Sequence, residues 1–177
     1  MNPRDHFLTL ARYNLWATQR LVADHVDALP DDAYRRDCGL FFKSIHGTLN
    51  HLLVTGDLLW YPRFADGRSP KDVQLSDVVE EDRVRLKERL IESGKRWTSL
   101  IGSFTPDRYD GELDYTTMRG ARAILPFTAT LAHVFNHATH HRGQITAALS
   151  AMGDRGPELD MVYMLQQEQA ARTSPKS

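Results

Sequence analysis

The chain has 177 residues, of which 41% are hydrophobic and 25% charged, the composition of an ordinary globular protein. Its 22 basic and 23 acidic residues leave a net charge of −1, and without a basic block this argues against nucleic-acid binding. No apolar run approaches the ~20 residues that a membrane-spanning helix needs, so no membrane association is expected. The single cysteine, Cys38, excludes an internal disulfide and, with no signal peptide visible, predicts a cytoplasmic protein.

The first half of the chain is predicted to form two long helices. The first spans about residues 3–29, with Pro3 in its first turn and a Pro-Asp-Asp stop at 30–32. Ser44 is the expected N-cap of the second helix, because its side chain can accept a hydrogen bond from a free N–H of the first turn. This helix is predicted to end near Pro62.

A third helix is predicted to begin after Ser76, with acidic residues at 77 and 80–82 near its N-terminus, where the helix dipole favours them. Its apolar residues are spaced by sevens, fours and threes up to Phe104, as in the seam of a helix bundle. Residues 105–126 fit either two short strands around a turn or a loop.

Pro126 is predicted to open a fourth helix that ends near Met152, and a short fifth helix is predicted to start near Pro157. Leu159, Val162 and Leu165 would form its apolar face. Together the helices predict an all-α fold, namely an antiparallel four-helix bundle with a short C-terminal helix. If residues 105–126 form two strands, a small hairpin precedes the fourth helix. Residues 1–172 are predicted to form one domain and 173–177 a disordered tail.

The fourth helix carries four histidines in the segment HVFNHATHHRGQI. Successive helical residues are rotated by about 100°, which places His141 beside the apolar face and His137 on its flank. His133 and His140 lie further round and are predicted to face solvent. The apolar face itself consists of Phe127, Leu131, Val134, Ala138, Ile145, Leu149 and Met152.

His137 and His141 are spaced i, i+4, so two imidazoles on neighbouring turns can converge on one ion. On the second helix His51 lies among apolar residues and is predicted to be buried, whereas His46 and Asp57 lie on a polar strip and are predicted to face water. His51, His137 and His141 would then make a metal site with open coordination positions. A satisfied core histidine without any metal remains the alternative for His51.

The motif NHATHHRGQI resembles the DinB/YfiT-like family of bacterial proteins, and SIHGTLNHLL, YNLWAT and GPELDMVYML support the resemblance. It covers about residues 3–168 and implies a four-helix bundle, often a homodimer. It also implies that His51, His137 and His141 are the metal ligands, that His140 is not one, and that the ion is nickel, zinc or iron.

The resemblance makes a metal-dependent enzyme the leading hypothesis, most specifically a thiol S-transferase that activates a low-molecular-weight thiol. A metal-dependent hydrolase is the alternative, although no general base is evident. A non-catalytic metal or small-ligand binding protein is the other alternative. The expected partners are a small-molecule substrate and a second copy of the chain. Arg142 would dock a substrate carboxylate or, more simply, form a salt bridge on the helix surface.

Overall fold

The computed structural model of the protein describes residues 2–173 and confirms a helical bundle with one small two-stranded sheet. Two π-helical segments, Val22–Val26 and Val54–Trp60, extend or join helices, and a 3-10 turn spans Pro106–Asp110. The strands are β1 (Glu112–Thr116) and β2 (Arg122–Pro126). The helices are α1 (Pro3–Leu21), α2 (Asp31–Arg35), α3 (Ile45–Leu53), α4 (Tyr61–Asp66), α5 (Arg83–Ser103), α6 (Phe127–Ala151) and α7 (Met161–Thr173).

Four helical segments form the bundle: α1, α3 with its π-helical continuation, α5 and α6. Both α1 and α3 pack against α5 and α6, so the two pairs alternate around the bundle axis. α4 extends the second segment and packs against β1. None of the helices in the described part of the chain combines the length and the apolar character that a bilayer-spanning helix requires.

The first two helical segments begin as predicted and end differently. The Asn2 side chain caps α1 by accepting the N–H of Asp5, and the Ser44 side chain caps α3 by accepting the N–H of Gly47 at 3.0 Å. The first segment stops at Val26, three residues before the predicted end. The second continues past Pro62 to the left-handed Gly67, because the π-helical turns before Pro62 adapt the backbone to its missing N–H.

The prediction that the third helix begins after Ser76 is wrong. α5 begins at Arg83, and its cap is Asp82, whose carboxylate accepts the N–H of Arg85 at 2.9 Å. The residues before it are not helical, and the buried Asn50 side chain accepts the N–H groups of Val79 and Glu80, both at 2.9 Å. These hydrogen bonds come from another helix, so helical spacing within the segment did not reveal them.

The region before α6 is a hairpin, which confirms the first of the two alternatives. β1 and β2 pair antiparallel with Leu113 opposite Leu125, and Gly120 in the turn has a φ of +78° that a side chain would disfavour. Along β1, Leu113 and Tyr115 are buried, whereas Asp114 between them is exposed. One side of the hairpin therefore closes the end of the bundle that carries α4.

The C-terminal part agrees with the predicted α6 and differs in α7. Pro126 precedes α6, which stops before Gly153 with its φ of +92°. α7 starts at Met161, later than predicted, and it buries Met164 while Val162 and Leu165 are exposed. Of the predicted disordered tail, Thr173 is the last residue of α7, and residues 174–177 lie outside the described residues.

The buried apolar residues form two clusters, one toward each end of the bundle. The first includes Leu21, Ile45, Leu53, Ile145 and Leu149. The second lies near the hairpin and includes Phe7, Trp97, Ile101, Phe127 and Leu131. Because both clusters draw on all four bundle segments, they hold α3 and α6 in register, and that register positions the histidines.

Candidate metal centre

Three histidines from two helices converge at one point. His51 on α3 places its Nε2 3.3 Å from Nε2 of His137 on α6, which lies 3.1 Å from Nε2 of His141. One ring nitrogen from each of the three lies within 4.8 Å of the others, and no carboxylate or thiolate joins the group within residues 2–173. His51 and His141 are buried, and His137 is half-buried. The structure thus brings together the three residues selected from sequence.

The outer nitrogens of two of these rings have hydrogen-bond acceptors as neighbours. Nδ1 of His51 lies 2.8 Å from the carbonyl oxygen of Leu75, and Nδ1 of His141 lies 2.8 Å from Oε1 of Gln144. Nδ1 must therefore carry the proton in both rings, which leaves each Nε2 with a bare lone pair. Lone pairs that face one another in a buried site, with their outer nitrogens hydrogen-bonded, are the arrangement that a metal cation satisfies.

Burial keeps these imidazoles neutral. Loss of hydration lowers the pKa of His51 to about 4, although the hydrogen bond to Leu75 opposes the shift. Desolvation and the neighbouring histidines lower the pKa of His137 to about 3, and desolvation also lowers the pKa of His141. At neutral pH all three are unprotonated, as ligation requires.

An aromatic ring that the sequence analysis missed covers the site. Phe42 stacks on the His51 ring with centroids 3.7 Å apart, and its centroid lies 5.6 Å from that of His141. It sits in a tight turn in which the N–H of Lys43 donates to the carbonyl of Leu40 at 2.8 Å. A Cβ at Gly47 would lie 2.2 Å from the Phe42 carbonyl oxygen, so the turn docks on α3 only because position 47 is glycine.

His46 is not in solvent, which contradicts the prediction for the polar strip. It is 5% exposed, and its Nδ1 lies 3.0 Å from the hydroxyl of Tyr34. Its Nε2 lies 3.4 Å from Nδ2 of Asn50. α2 and the segment that precedes α5 pack over this polar strip. The spacing of polar residues along one helix does not predict that another segment buries them. The prediction for the exposed His133 and His140 is confirmed.

Two charged residues also differ from expectation. Arg142 is 2% exposed, so it forms no surface salt bridge; its Nη1 donates to Oδ1 of Asn14 and its Nη2 to Oγ1 of Thr139 at 3.1 Å. Asp57 is half-buried and accepts a hydrogen bond from Nη1 of Arg96 at 2.6 Å. Neither residue is paired with a histidine of the metal centre. Asn14 and Arg96 come from other helices, beyond the reach of spacing rules, whereas Thr139 lies three residues before Arg142 on α6.

Comparison with known proteins places this arrangement among relatives. A model of the family described as the DinB family matches residues 1–173. "Protein DinB" of Bacillus subtilis (strain 168) is 28% identical over 156 residues, which cover 84% of this chain and 87% of that protein. A solved structure, described as "YfiT from Bacillus subtilis is a probable metal-dependent hydrolase with an unusual four-helix bundle topology", superposes with a TM-score of 0.67. It is 16% identical and the match covers 85% of this chain and 88% of that chain, so the likeness shows the fold.

Proposed function

This chain belongs to the DinB family, and on that premise we propose that it is a metal-dependent enzyme of the thiol S-transferase type. His51, His137 and His141 would hold one divalent transition metal, with nickel, zinc and iron all suited to imidazole ligands. The substrate pair would be a low-molecular-weight thiol and a small electrophile. The observation that supports this proposal is the convergence of three neutral imidazoles whose Nε2 atoms face one another.

The chain's own residues would do three things in this reaction. His51 and His141 are held in one tautomer by Leu75 and Gln144, so both present the lone pair without rearrangement. Phe42 covers one side of the site and excludes water from the His51 ring. The bound cation would supply Lewis acidity, which lowers the pKa of a coordinated thiol or water.

The absence of a carboxylate from the three-histidine group, among residues 2–173, favours a thiol over water as the nucleophile. A free thiol has a pKa of about 8.5 and ionises to solvent with little help, whereas water, at about 15.7, profits from a general base. In the transfer the thiolate sulfur forms a bond to the electrophilic carbon, the leaving group departs with its electron pair, and the thiol proton passes to solvent.

A metal-dependent hydrolase is the second candidate. It is favoured by the fold shared with the YfiT structure, which is described as a probable metal-dependent hydrolase. The same three imidazoles would serve, with water in place of the thiol. The proposal for this chain therefore depends on which nucleophile the protein uses.

The test is an activity assay on untagged protein reconstituted with zinc, nickel or iron. We expect conjugates of a thiol with electrophiles such as epoxides and alkyl halides, and we expect none with His51→Ala. The exposed His140→Ala variant is the matched control and should keep the activity. Ester or amide hydrolysis without any thiol would replace the transferase proposal by the hydrolase. Inactivity in both assays with a filled site would leave a metal-binding protein.

A further inference from the structure

A cavity with a mixed polar and apolar lining lies in the middle of the bundle, between the two hydrophobic clusters. Its volume is about 40 Å³, and its walls come from α1, α3 with its π-helical continuation, α5 and α6. His137 forms part of one wall, so the cavity adjoins the metal centre. The polar residues that line it include Asn14, Thr18, Ser93 and Arg142.

Two hydroxyl groups in this cavity have no protein partner. Thr18 on α1 and Ser93 on α5 are each 7% exposed, and neither side chain makes a hydrogen bond to any residue within 2–173. Buried polar groups in proteins are almost always hydrogen-bonded. Water or a ligand in the cavity would supply the partners, and since a water needs ~10–15 Å³ there is room for a few atoms only.

The charge of Arg142 lacks a counter-ion. Its guanidinium is buried, its polar neighbours are the amide of Asn14 and the hydroxyls of Tyr13 and Thr139, and no carboxylate within residues 2–173 forms an ion pair with it. A guanidinium is charged at neutral pH. An isolated buried charge is costly, so an anion beside it is strongly favoured.

We propose that this cavity binds a small carboxylate. Arg142 supplies the opposite charge, and the hydroxyls of Thr18 and Ser93 donate hydrogen bonds to the carboxylate oxygens. The ligand is either a free small anion or the carboxylate end of a larger substrate that reaches the cavity past His137. This inference goes beyond the proposed enzyme activity, because the anion site consists of residues other than the metal ligands and forms without the metal. A divalent cation beyond His137 would tighten binding by adding positive charge.

Calorimetric titration of the full chain with formate, acetate and butyrate, against sodium chloride of equal ionic strength, tests the proposal. We expect saturable one-to-one binding in the metal-free protein and tighter binding after zinc loading. Ser93→Ala and Thr18→Val should each weaken it by about tenfold, since a hydrogen bond to a charged group is lost. The matched control is Ser99→Ala, an exposed position on the same helix as Ser93.

The outcomes separate the two sources of the carboxylate. Affinity that falls from acetate to butyrate identifies an enclosed site for a free small anion, and affinity that rises identifies the end of a longer substrate. No saturable binding in either metal state would overturn the proposal and leave a cavity that holds water. Binding that is equally tight in Ser93→Ala, Thr18→Val and the parent, with unfolding temperatures showing both variants folded, would place the anion elsewhere and also overturn it. The metal-free titration keeps these results independent of the proposed enzyme activity.

Discussion

His46 and His51 lie on the same helix and are both buried, yet their ring nitrogens meet different kinds of partner. Both ring nitrogens of His46 have neighbours within the fold, the Tyr34 hydroxyl at 3.0 Å and the Asn50 amide at 3.4 Å. His51 engages Nδ1 with Leu75 and turns Nε2 toward His137. The ring nitrogens of His46 meet a hydroxyl and an amide, whereas Nε2 of His51 meets another imidazole nitrogen, an arrangement that suits a bound cation.

Burial and pKa do not separate the two regions. Desolvation is the largest cause of the lowered pKa in both His46 and His51. A buried histidine with a depressed pKa can thus be structural or a ligand. The partner of each ring nitrogen distinguishes a structural histidine from a metal ligand. Variants at His46 and His51 test this distinction.

The largest expected effect is the loss of metal in His51→Ala. The parent should bind about one ion per chain, and the variant should bind more than about 100-fold more weakly, beyond the 10–100-fold typical of losing an outer-sphere partner. Mass spectrometry of metal content on untagged protein measures this. His140→Ala, an exposed position on α6, is the control and should bind like the parent. An ion retained in full by His51→Ala would remove His51 from the metal centre.

The next largest effect is the loss of stability in Gly47→Ala, a position between His46 and His51 on α3. The new Cβ meets the Phe42 carbonyl oxygen at 2.2 Å, a backbone atom that cannot move without displacing the turn. We expect the free energy of unfolding to fall by about 3 kcal/mol, measured by urea denaturation. Gly143→Ala is the matched control, because nothing lies within 4 Å of its Cβ, and it should gain about 0.5–1 kcal/mol. Equal stabilities for the two variants would contradict the steric argument.

His46→Ala should have the opposite signature to His51→Ala. It leaves the hydroxyl of the fully buried Tyr34 without its partner, so we expect a loss of about 2 kcal/mol in the free energy of unfolding. Metal content should remain that of the parent. Denaturation and metal analysis on the same preparation check both halves. If His46→Ala kept normal stability but lost its metal, His46 would belong to the metal centre. The proposed difference between His46 and His51 would then be wrong.

The smallest effect is the dependence of stability on pH in the metal-free protein. Unfolded imidazoles take up protons near pH 6.5, whereas the folded state holds the pKa of His51 at about 4 and that of His137 at about 3. Between pH 6.5 and pH 3 the unfolded chain binds more protons, so the free energy of unfolding falls as the pH falls.

The share of this slope that belongs to His51 is at most about 1.4 kcal/mol per pH unit. Urea denaturation of metal-free protein between pH 7 and pH 5 measures the slope. His51→Ala should flatten it. If parent and His51→Ala had the same slope, burial would not govern the protonation of His51.

Sequence periodicity was sufficient where a residue's surroundings are set by its own helix. The rotation of α6 placed His141 inside and His133 and His140 outside, and the structure agrees. Ser44, Pro126 and Gly153 marked helix ends correctly, because capping depends on neighbouring backbone. The same rules failed for Ser76, whose segment is not helical and is hydrogen-bonded to Asn50 from a different helix.

The sequence by itself therefore determined the helical class, the bundle and the three candidate ligands, since each follows from spacing along one chain. Only the tertiary structure decided which partner each ring nitrogen meets, because hydrogen-bond partners such as Leu75 and Tyr34 come from distant segments. It also decided that Phe42 covers the centre and that Arg142 is buried beside a cavity. Those features depend on how helices pack against one another. The periodicity of one segment does not specify which other segment packs against it.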